Sequence, residues 1–353
     1  MRNWEKNIRR VEPYVPGEQP NIDGMIKLNT NENPYPPAPT VREAIENLDI
    51  NRMRLYPNVD AAPLVAALSE FYGVDKEKIF VGVGSDDVLG MCFMTFFNSD
   101  KPILFPDITY SFYDVWADLL RIPYERPALN ENFEINKEDY YKENGGVVIA
   151  NPNAPTGIGV GIDFIRDILE HNQDSVVIID EAYVDFGGES SLKLIDEYEN
   201  LIVVQTFSKS RSMAGMRIGF CFGNERLIKA LNNVKFSYNS YTMNLASIEL
   251  GTKSLKDREY FYNTVNKIIN TRERTKKELL KLGFSFPDSK ANFIFAKHDT
   301  VSATKIMDVL RDEKIFVRHF TAERIENYLR ISIGTDEQMD KMLQVLKNFL
   351  ADK

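Results

Sequence analysis

Gly146-Val-Val-Ile-Ala150, Val176-Val-Ile-Ile179 and Leu201-Ile-Val-Val204 are three short apolar runs without a polar residue at alternate positions. A strand with one face in water alternates apolar and polar side chains, so unbroken runs of this length belong to strands covered on both faces, as in a mostly parallel sheet. Helical pattern between them supplies the crossovers that parallel strands need. Upstream the same alternation holds: Ile79 to Val83 reads as a strand, Asp86 to Phe97 as a helix, Pro102 to Phe105 as a strand and Tyr110 to Leu120 as a helix. Two further helices, Val41 to Leu48 and Pro63 to Tyr72, precede these, the second opening at a proline and closing at Gly73. The class is α/β.

Beyond about Asn244 the texture changes. A long charged helix over Asp257 to Leu282 is followed by strands at Asn292 to Ala296, Lys314 to Arg318 and Tyr328 to Ile333, and by a last helix from Asp336 to Leu350, which reads as a smaller α+β domain. With 353 residues, 43% of them hydrophobic, two cores in one chain are expected. The first forty residues, with Pro34, Pro36, Pro37 and Pro39, read as an extended arm that wraps over another surface.

The net charge of −9, with lysines and arginines scattered, argues against a nucleic-acid partner, and an anionic small substrate would need local arginines. Cys92 and Cys221 lie far apart in the sequence, each in a hydrophobic stretch, so neither a disulfide framework nor a metal site is expected. The start of the chain has no apolar core of signal-peptide length, no run approaches membrane-spanning length, and a cytoplasmic location is expected.

Chemistry gathers where strands end. Lys209, in Thr206-Phe-Ser-Lys-Ser210, follows the run Leu201 to Val204 directly and so lies at a strand end facing a crevice. Hydroxyls at 206, 208, 210 and 212 crowd the loop, and Arg217 follows in a glycine-flanked segment; hydroxyls with a guanidinium suit a phosphate. Gly82-Val-Gly-Ser-Asp-Asp87, a strand giving way to a helix, offers free N–H groups and a helix dipole to the same anion. Asp180, straight after a branched apolar run, is either a helix N-cap or a buried counter-ion.

Asn151-Pro-Asn-Ala-Pro-Thr-Gly157, Asp180-Glu-Ala-Tyr183, Ser208-Lys209 and Arg217 stand in the order and spacing of the fold-type I aminotransferases. Tyr14-Val-Pro-Gly17, Leu28-Asn-Thr-Asn-Glu-Asn-Pro34, Leu55-Tyr-Pro57 and Tyr328-Leu-Arg-Ile-Ser-Ile-Gly334 narrow the resemblance to the histidinol-phosphate aminotransferase family, from the first residues to the last helix. The resemblance implies an arm over residues 1–28 packing with the small domain, a large pyridoxal-phosphate-binding domain over 29–245 and a small C-terminal domain over 246–353. It makes Lys209 the Schiff-base lysine and proton shuttle, Asp180 the partner of the pyridine nitrogen and Tyr183 a donor to the ring oxygen. Ser85, Asp86, Thr206, Ser208 and Arg217 would hold the cofactor phosphate, and Tyr110 would stack on the ring. Tyr56 would reach the phosphate in a neighbouring subunit, implying a homodimer with shared sites; taken alone it reads as a core aromatic before a turn proline. One departure stands out: the family has asparagine before Pro-Thr-Gly, where this chain has Ala154, and Asn153 is the residue placed to take over its contact.

For the substrate, Arg330 sits in a strand too apolar for a bare cation, so it is paired or binds a ligand. The resemblance adds Arg318, and two guanidiniums suit a phosphate dianion better than a carboxylate. Tyr14 and Asn33 on the arm are either lid contacts or ordinary loop polars. Of the three histidines only His319, beside Arg318, stands near this chemistry. The implied reaction is transamination between L-histidinol phosphate and 2-oxoglutarate, giving imidazole-acetol phosphate and glutamate. An aromatic or broad-range aminotransferase, a threonine-phosphate decarboxylase-like lyase and a non-catalytic cofactor-binding sensor are the alternatives.

Overall fold

A computed structural model describes residues 2–351; Met1, Asp352 and Lys353, the outer ends of the expected arm and small domain, lie outside the described residues. The three apolar runs become the strands Gly146–Ala150, Val177–Asp180 and Leu201–Thr206 at the centre of a seven-stranded sheet. Across that sheet the order is Ile79–Gly82, Gly219–Gly223, Leu201–Thr206, Val177–Asp180, Gly146–Ala150, Ile103–Leu104 and Tyr124–Glu125. Every pairing is parallel except those of Gly219–Gly223, which is antiparallel to both neighbours.

Why the runs lack alternation is visible in their packing. Val147, Ile149, Val177, Ile179, Leu201 and Val203 join a core with the helices Ala62–Tyr72, Ile162–Glu170 and Leu245–Ser254. The intervening Val148, Ile178, Ile202 and Val204 point the other way, into a core with the helices Ser85–Phe96, Phe112–Leu120 and Glu225–Tyr238. Each fully buried valine or isoleucine contributes about 1.5–3 kcal/mol, so polar residues are excluded from both faces. Cys92 and Cys221 meet in this second core as free thiols, and burial followed by the contact with Cys92 pushes the Cys221 thiol up.

A second, five-stranded sheet runs Ile26–Leu28, Ile315–His319, Leu329–Ser332, Phe293–His298 and Phe284–Ser285. The helices Arg258–Lys281, Ala303–Asp312 and Asp336–Ala351 close a third core over it. Its edge strand Ile26–Leu28 belongs to the proline-rich arm and pairs in parallel with Ile315, Phe316 and Val317. The arm is therefore not wholly irregular: it adds a strand where backbone donors on the sheet edge would otherwise be unpaired. Helix ends follow local chemistry. Ala62–Tyr72 stops at Gly73 (φ 70°), whose N–H returns to the Ser69 carbonyl, and the Asp257 side chain caps the long helix by accepting from the Tyr260 N–H.

Candidate active site

The register of the large sheet decides which loops meet. Ala150, Asp180 and Val204 are in line across three parallel strands, while Gly82, Gly219 and Thr206 are in line across the two antiparallel pairings of Gly219–Gly223. The segments beginning at Asn151, Glu181, Phe207 and Val83, and the one ending at Ile218, therefore leave the sheet along one edge, where strand carboxyl ends open into a crevice. There they line a cavity of about 260 Å³, closed on its other side by the arm and by Arg318 and Arg330 of the small sheet.

At one end, Ser85 and Asp86 begin the helix Ser85–Phe96 with its free N–H groups. Thr206 donates to Ser208 Oγ at 3.0 Å, Arg217 Nη1 reaches that oxygen at 3.4 Å, and Arg217 Nη2 lies 3.3 Å from Asp86 Oδ2. The crowding explains a glycine: Gly84 has φ 91°, and a Cβ on it would stand 2.6 Å from Arg217 Nη2. The Tyr110 hydroxyl donates to Asp86 Oδ1 at 2.9 Å, and its side chain lines the cavity.

In the centre, buried Asp180 accepts from the Tyr113 hydroxyl at 2.8 Å and from the Ala182 N–H at 3.2 Å. No regular α-helix follows it, so of the two readings open from sequence it takes that of the buried anion. Burial pushes its pKa up to about 6 against the opposing pull of those two hydrogen bonds. Among the described residues it has no ion-pair partner within salt-bridge distance. Tyr183 accepts a hydrogen bond from Asn31 Nδ2 at 3.0 Å, leaving its own O–H free to donate into the cavity. The Lys209 amine stands 5.7 Å from the centre of the Tyr183 ring and donates to the Thr30 carbonyl at 3.2 Å.

At the other end, Arg318 and Arg330 are direct cross-strand partners in the antiparallel pair. Arg330 Nη2 donates to the Asn29 carbonyl at 3.2 Å, while its Nε is buried without a hydrogen-bond partner. Burial lowers its pKa, and the like charge of Arg318 adds to that lowering. Neither arginine forms a salt bridge among the described residues, so two cations converge on the cavity with no carboxylate between them. Tyr14, stacked on Phe112 with ring centres 4.4 Å apart, completes this wall.

The model of the aminotransferase class I and II family matches residues 23–346. The chain is 50% identical over 351 residues to the histidinol-phosphate aminotransferase of Lactococcus lactis subsp. cremoris, covering 99% of each. Its fold is similar to the crystal structure of the histidinol-phosphate aminotransferase from Clostridium acetobutylicum, with a TM-score of 0.86 at 23% identity over 93% of this chain and 100% of that one. It is also similar to that of the Sinorhizobium meliloti enzyme in complex with pyridoxal 5′-phosphate, with a TM-score of 0.84 at 22% identity over 93% and 91%. The chain belongs to the class I and II aminotransferases. Its cofactor is therefore pyridoxal 5′-phosphate.

The residues of this aminotransferase fit that cofactor. A helix N-terminus, two hydroxyls and Arg217 at one end suit a phosphate, and a buried carboxylate without a cationic partner lies where a protonated ring nitrogen would satisfy it. Of the sequence-predicted residues, Tyr14, Ser85, Asp86, Tyr110, Asp180, Tyr183, Thr206, Ser208, Lys209, Arg217, Arg318 and Arg330 all line the cavity.

Three do not. Asn153 is turned away: its amide donates to the Ile108 carbonyl and Thr156 Oγ, and its Oδ1 accepts from Thr109 at 2.7 Å. In its place Ala154 faces the cavity and packs with Ala291, Phe293 and Tyr183. Asn33 is a layer back, donating to the carbonyls of Lys209 (3.0 Å) and Ser210 (3.2 Å) rather than meeting a ligand. Tyr56 is 82% exposed, its ring tilted against that of Tyr241 at 4.6 Å between centres, and it does not line this chain's own cavity; it is not a core aromatic. His319 also lies outside, bonded to the Glu326 carbonyl at 2.7 Å. Sequence reasoning missed Asn31, Tyr113 and Glu32. Asn31 (φ 58°) is stapled to Ser332 and Asn292 of the small sheet. Glu32 lines the cavity, where burial pushes its pKa up but hydrogen bonds from Lys27 and Thr30 outweigh this and leave it lowered.

Proposed function

We propose that this aminotransferase exchanges the amino group of L-histidinol phosphate with 2-oxoglutarate, giving imidazole-acetol phosphate and glutamate. The observation that carries this reading is the convergence of Arg318 and Arg330 from paired strands with no carboxylate to share them. Two like charges held together repel, and a phosphate dianion offsets both where a single carboxylate offsets one. The same wall accepts the carboxylates of 2-oxoglutarate in the other half of the cycle. Full-length relatives bearing the name histidinol-phosphate aminotransferase support the assignment.

In this reading Lys209 would hold the cofactor, and its amine would move a proton to and from the substrate's α-carbon. Asp180 holds a proton on the ring nitrogen, and the bound cofactor then supplies an electron sink for that carbon. Tyr183 donates to the ring oxygen without help from an asparagine at 154. Ser85, Asp86, Thr206, Ser208 and Arg217 grip the phosphate, Tyr110 covers the ring, and Tyr14 covers the substrate side.

A half-reaction panel tests the assignment: the pyridoxal form is mixed with glutamate, histidinol phosphate, tyrosine and threonine phosphate while visible absorbance is followed. Histidinol phosphate should react at least about tenfold faster than tyrosine, and Arg318→Gln should weaken it about tenfold or more while sparing tyrosine, as the loss of one charged hydrogen bond implies. Equal rates for the two amines would refute the substrate, and release of carbon dioxide from threonine phosphate would favour a lyase.

We further propose a homodimer in which Tyr56 enters the cavity of a second copy. Ile50, Met53, Leu55 and Tyr56 are all more than half exposed on one short segment, an apolar face unusual for a surface left in water. A holoenzyme that sediments as a monomer would overturn this.

A further inference from the structure

Lys209 stands on a loop, and a loop positions a long flexible side chain only if its own backbone is held. Three separate contacts hold it. The Asn33 amide bridges the carbonyls of Lys209 and Ser210 from the arm side. On the opposite side the hydroxyl of buried Ser210 donates to Asp185 Oδ2 at 2.5 Å. Next in sequence, the buried Arg211 guanidinium lies between the rings of Phe71 (4.4 Å) and Phe261 (4.2 Å) and reaches the Ser254 carbonyl, at a helix C-terminus, at 3.5 Å.

Asp185 matters because of what is attached to it. It lies two residues beyond Tyr183, so its bond to Ser210 ties the segment bearing the phenol to the segment bearing the amine. A hydrogen bond to an ionised carboxylate is roughly twice as strong as a neutral one. Burial raises the pKa of this carboxyl, and the Ser210 hydroxyl and the charge of Arg211 oppose that rise. A half-buried acid kept only for packing would be replaced at little loss by an apolar side chain; one kept for geometry has to keep its hydrogen bond.

We infer that Asp185 is a positioning residue that fixes Lys209 against Tyr183 through Ser210. This rests on the reading of Lys209 as the residue that anchors the cofactor. Asp185 does not line the cavity, so its loss disturbs the alignment of the amine rather than the binding of the amino donor.

The test is a double-mutant cycle in the holoenzyme with Ser210→Ala, Asp185→Ala and both together, reading kcat and KM separately with the visible circular dichroism of the bound cofactor. Each single change should lower kcat about tenfold to a hundredfold with KM within about twofold, since small misplacements of reacting groups act on the chemical step. The visible dichroism should diminish in parallel, and the double variant should lose no more than either single one. Asp185→Asn, which leaves a neutral acceptor in place, should cost only about threefold in kcat, and it gives the same reading if an alanine chain fails to fold. Variants that melt earlier but keep the kcat and dichroism of the parent would overturn the positioning role alone, provided that borohydride still fixes the parent's cofactor to Lys209. Absence of that label in the parent would overturn the anchoring role and the positioning role together.

Discussion

Arg217 and Arg330 both aim a guanidinium into one cavity, yet Arg217 is 43% exposed and paired with Asp86 at 3.3 Å, whereas Arg330 keeps a buried Nε that bonds to nothing. The carboxylates differ in the same way: Asp86 shares Arg217, while Asp180 is buried with only neutral hydrogen-bond donors and no ion pair among the described residues, and burial pushes its pKa up to about 6. A paired, wet charge costs the fold little and contributes little. An unpaired, buried one is a standing cost to the ligand-free protein that only a complementary ligand removes. Among the buried charges without an ion-pair partner, Asp180 and Arg330 face the cavity, and there a cation over Asp180 and an anion against Arg330 would offset them. If that contrast is right, neutralising an unpaired charge stabilises the ligand-free protein and harms function, whereas neutralising a paired one does the first hardly at all.

The largest such effect belongs to Asp180. Its folded-state pKa lies above the unfolded value, so the native state binds more protons than the unfolded one between about pH 4 and pH 6, and the group's contribution is lost as pH rises through that window. A rise of about two units corresponds to about 3 kcal/mol. Cofactor-free Asp180→Asn should therefore match the parent near pH 4 and exceed it by up to about 3 kcal/mol above pH 7 in urea unfolding. Glu181, raised to about 7 by burial, slopes the same way but is common to both chains and cancels in the difference. With pyridoxal phosphate bound the order should reverse at neutral pH, because the ring then supplies the missing cation. A variant whose advantage did not depend on pH would break the link between the unpaired carboxylate and the cofactor.

The same contrast explains what the sequence disclosed. Strands covered on both faces announce themselves, as Gly146–Ala150 does, because burial leaves no other composition possible. Gly219–Gly223 went unread since its short glycine-bounded run looked like part of the phosphate loop, and Ile26–Leu28 since its partner strand, Ile315–His319, lies far along the chain. At the site, residues whose chemistry is unusual for their setting were legible: a lysine and a carboxylate at strand ends, an arginine in an apolar strand. Residues that differ only in orientation were not. Among Asn29, Asn31 and Asn33 nothing in the spacing says which one meets Tyr183, and the side chain of Asn153 turns from the cavity because Thr109 and Ile108 satisfy it elsewhere. Tyr113 carries no mark in the helix pattern from Tyr110 to Leu120, since only the fold brings its hydroxyl to Asp180.

The smaller effect, and the more direct trial of the contrast, compares Arg330→Met with Arg217→Met. Methionine keeps length and apolar bulk while removing the charge. At 330 the change relieves an unpaired guanidinium and its repulsion from Arg318, at the cost of one bond to the Asn29 carbonyl and of ring contacts with Phe293 and Phe320. The ring contacts recover part of the burial cost, so the expected gain is about 1–2 kcal/mol in ligand-free stability, together with a roughly thirtyfold rise in KM for the phosphate ester. At 217 the pair with Asp86 is half in water, so stability should move by less than about 1 kcal/mol, and the loss should fall on cofactor affinity instead. Measuring both chains by urea unfolding and by cofactor titration separates the outcomes. Should Arg330→Met destabilise the ligand-free protein while Arg217→Met leaves it unchanged, the charge at 330 is already compensated within the protein, and the small sheet does not hold a cation in reserve for the substrate.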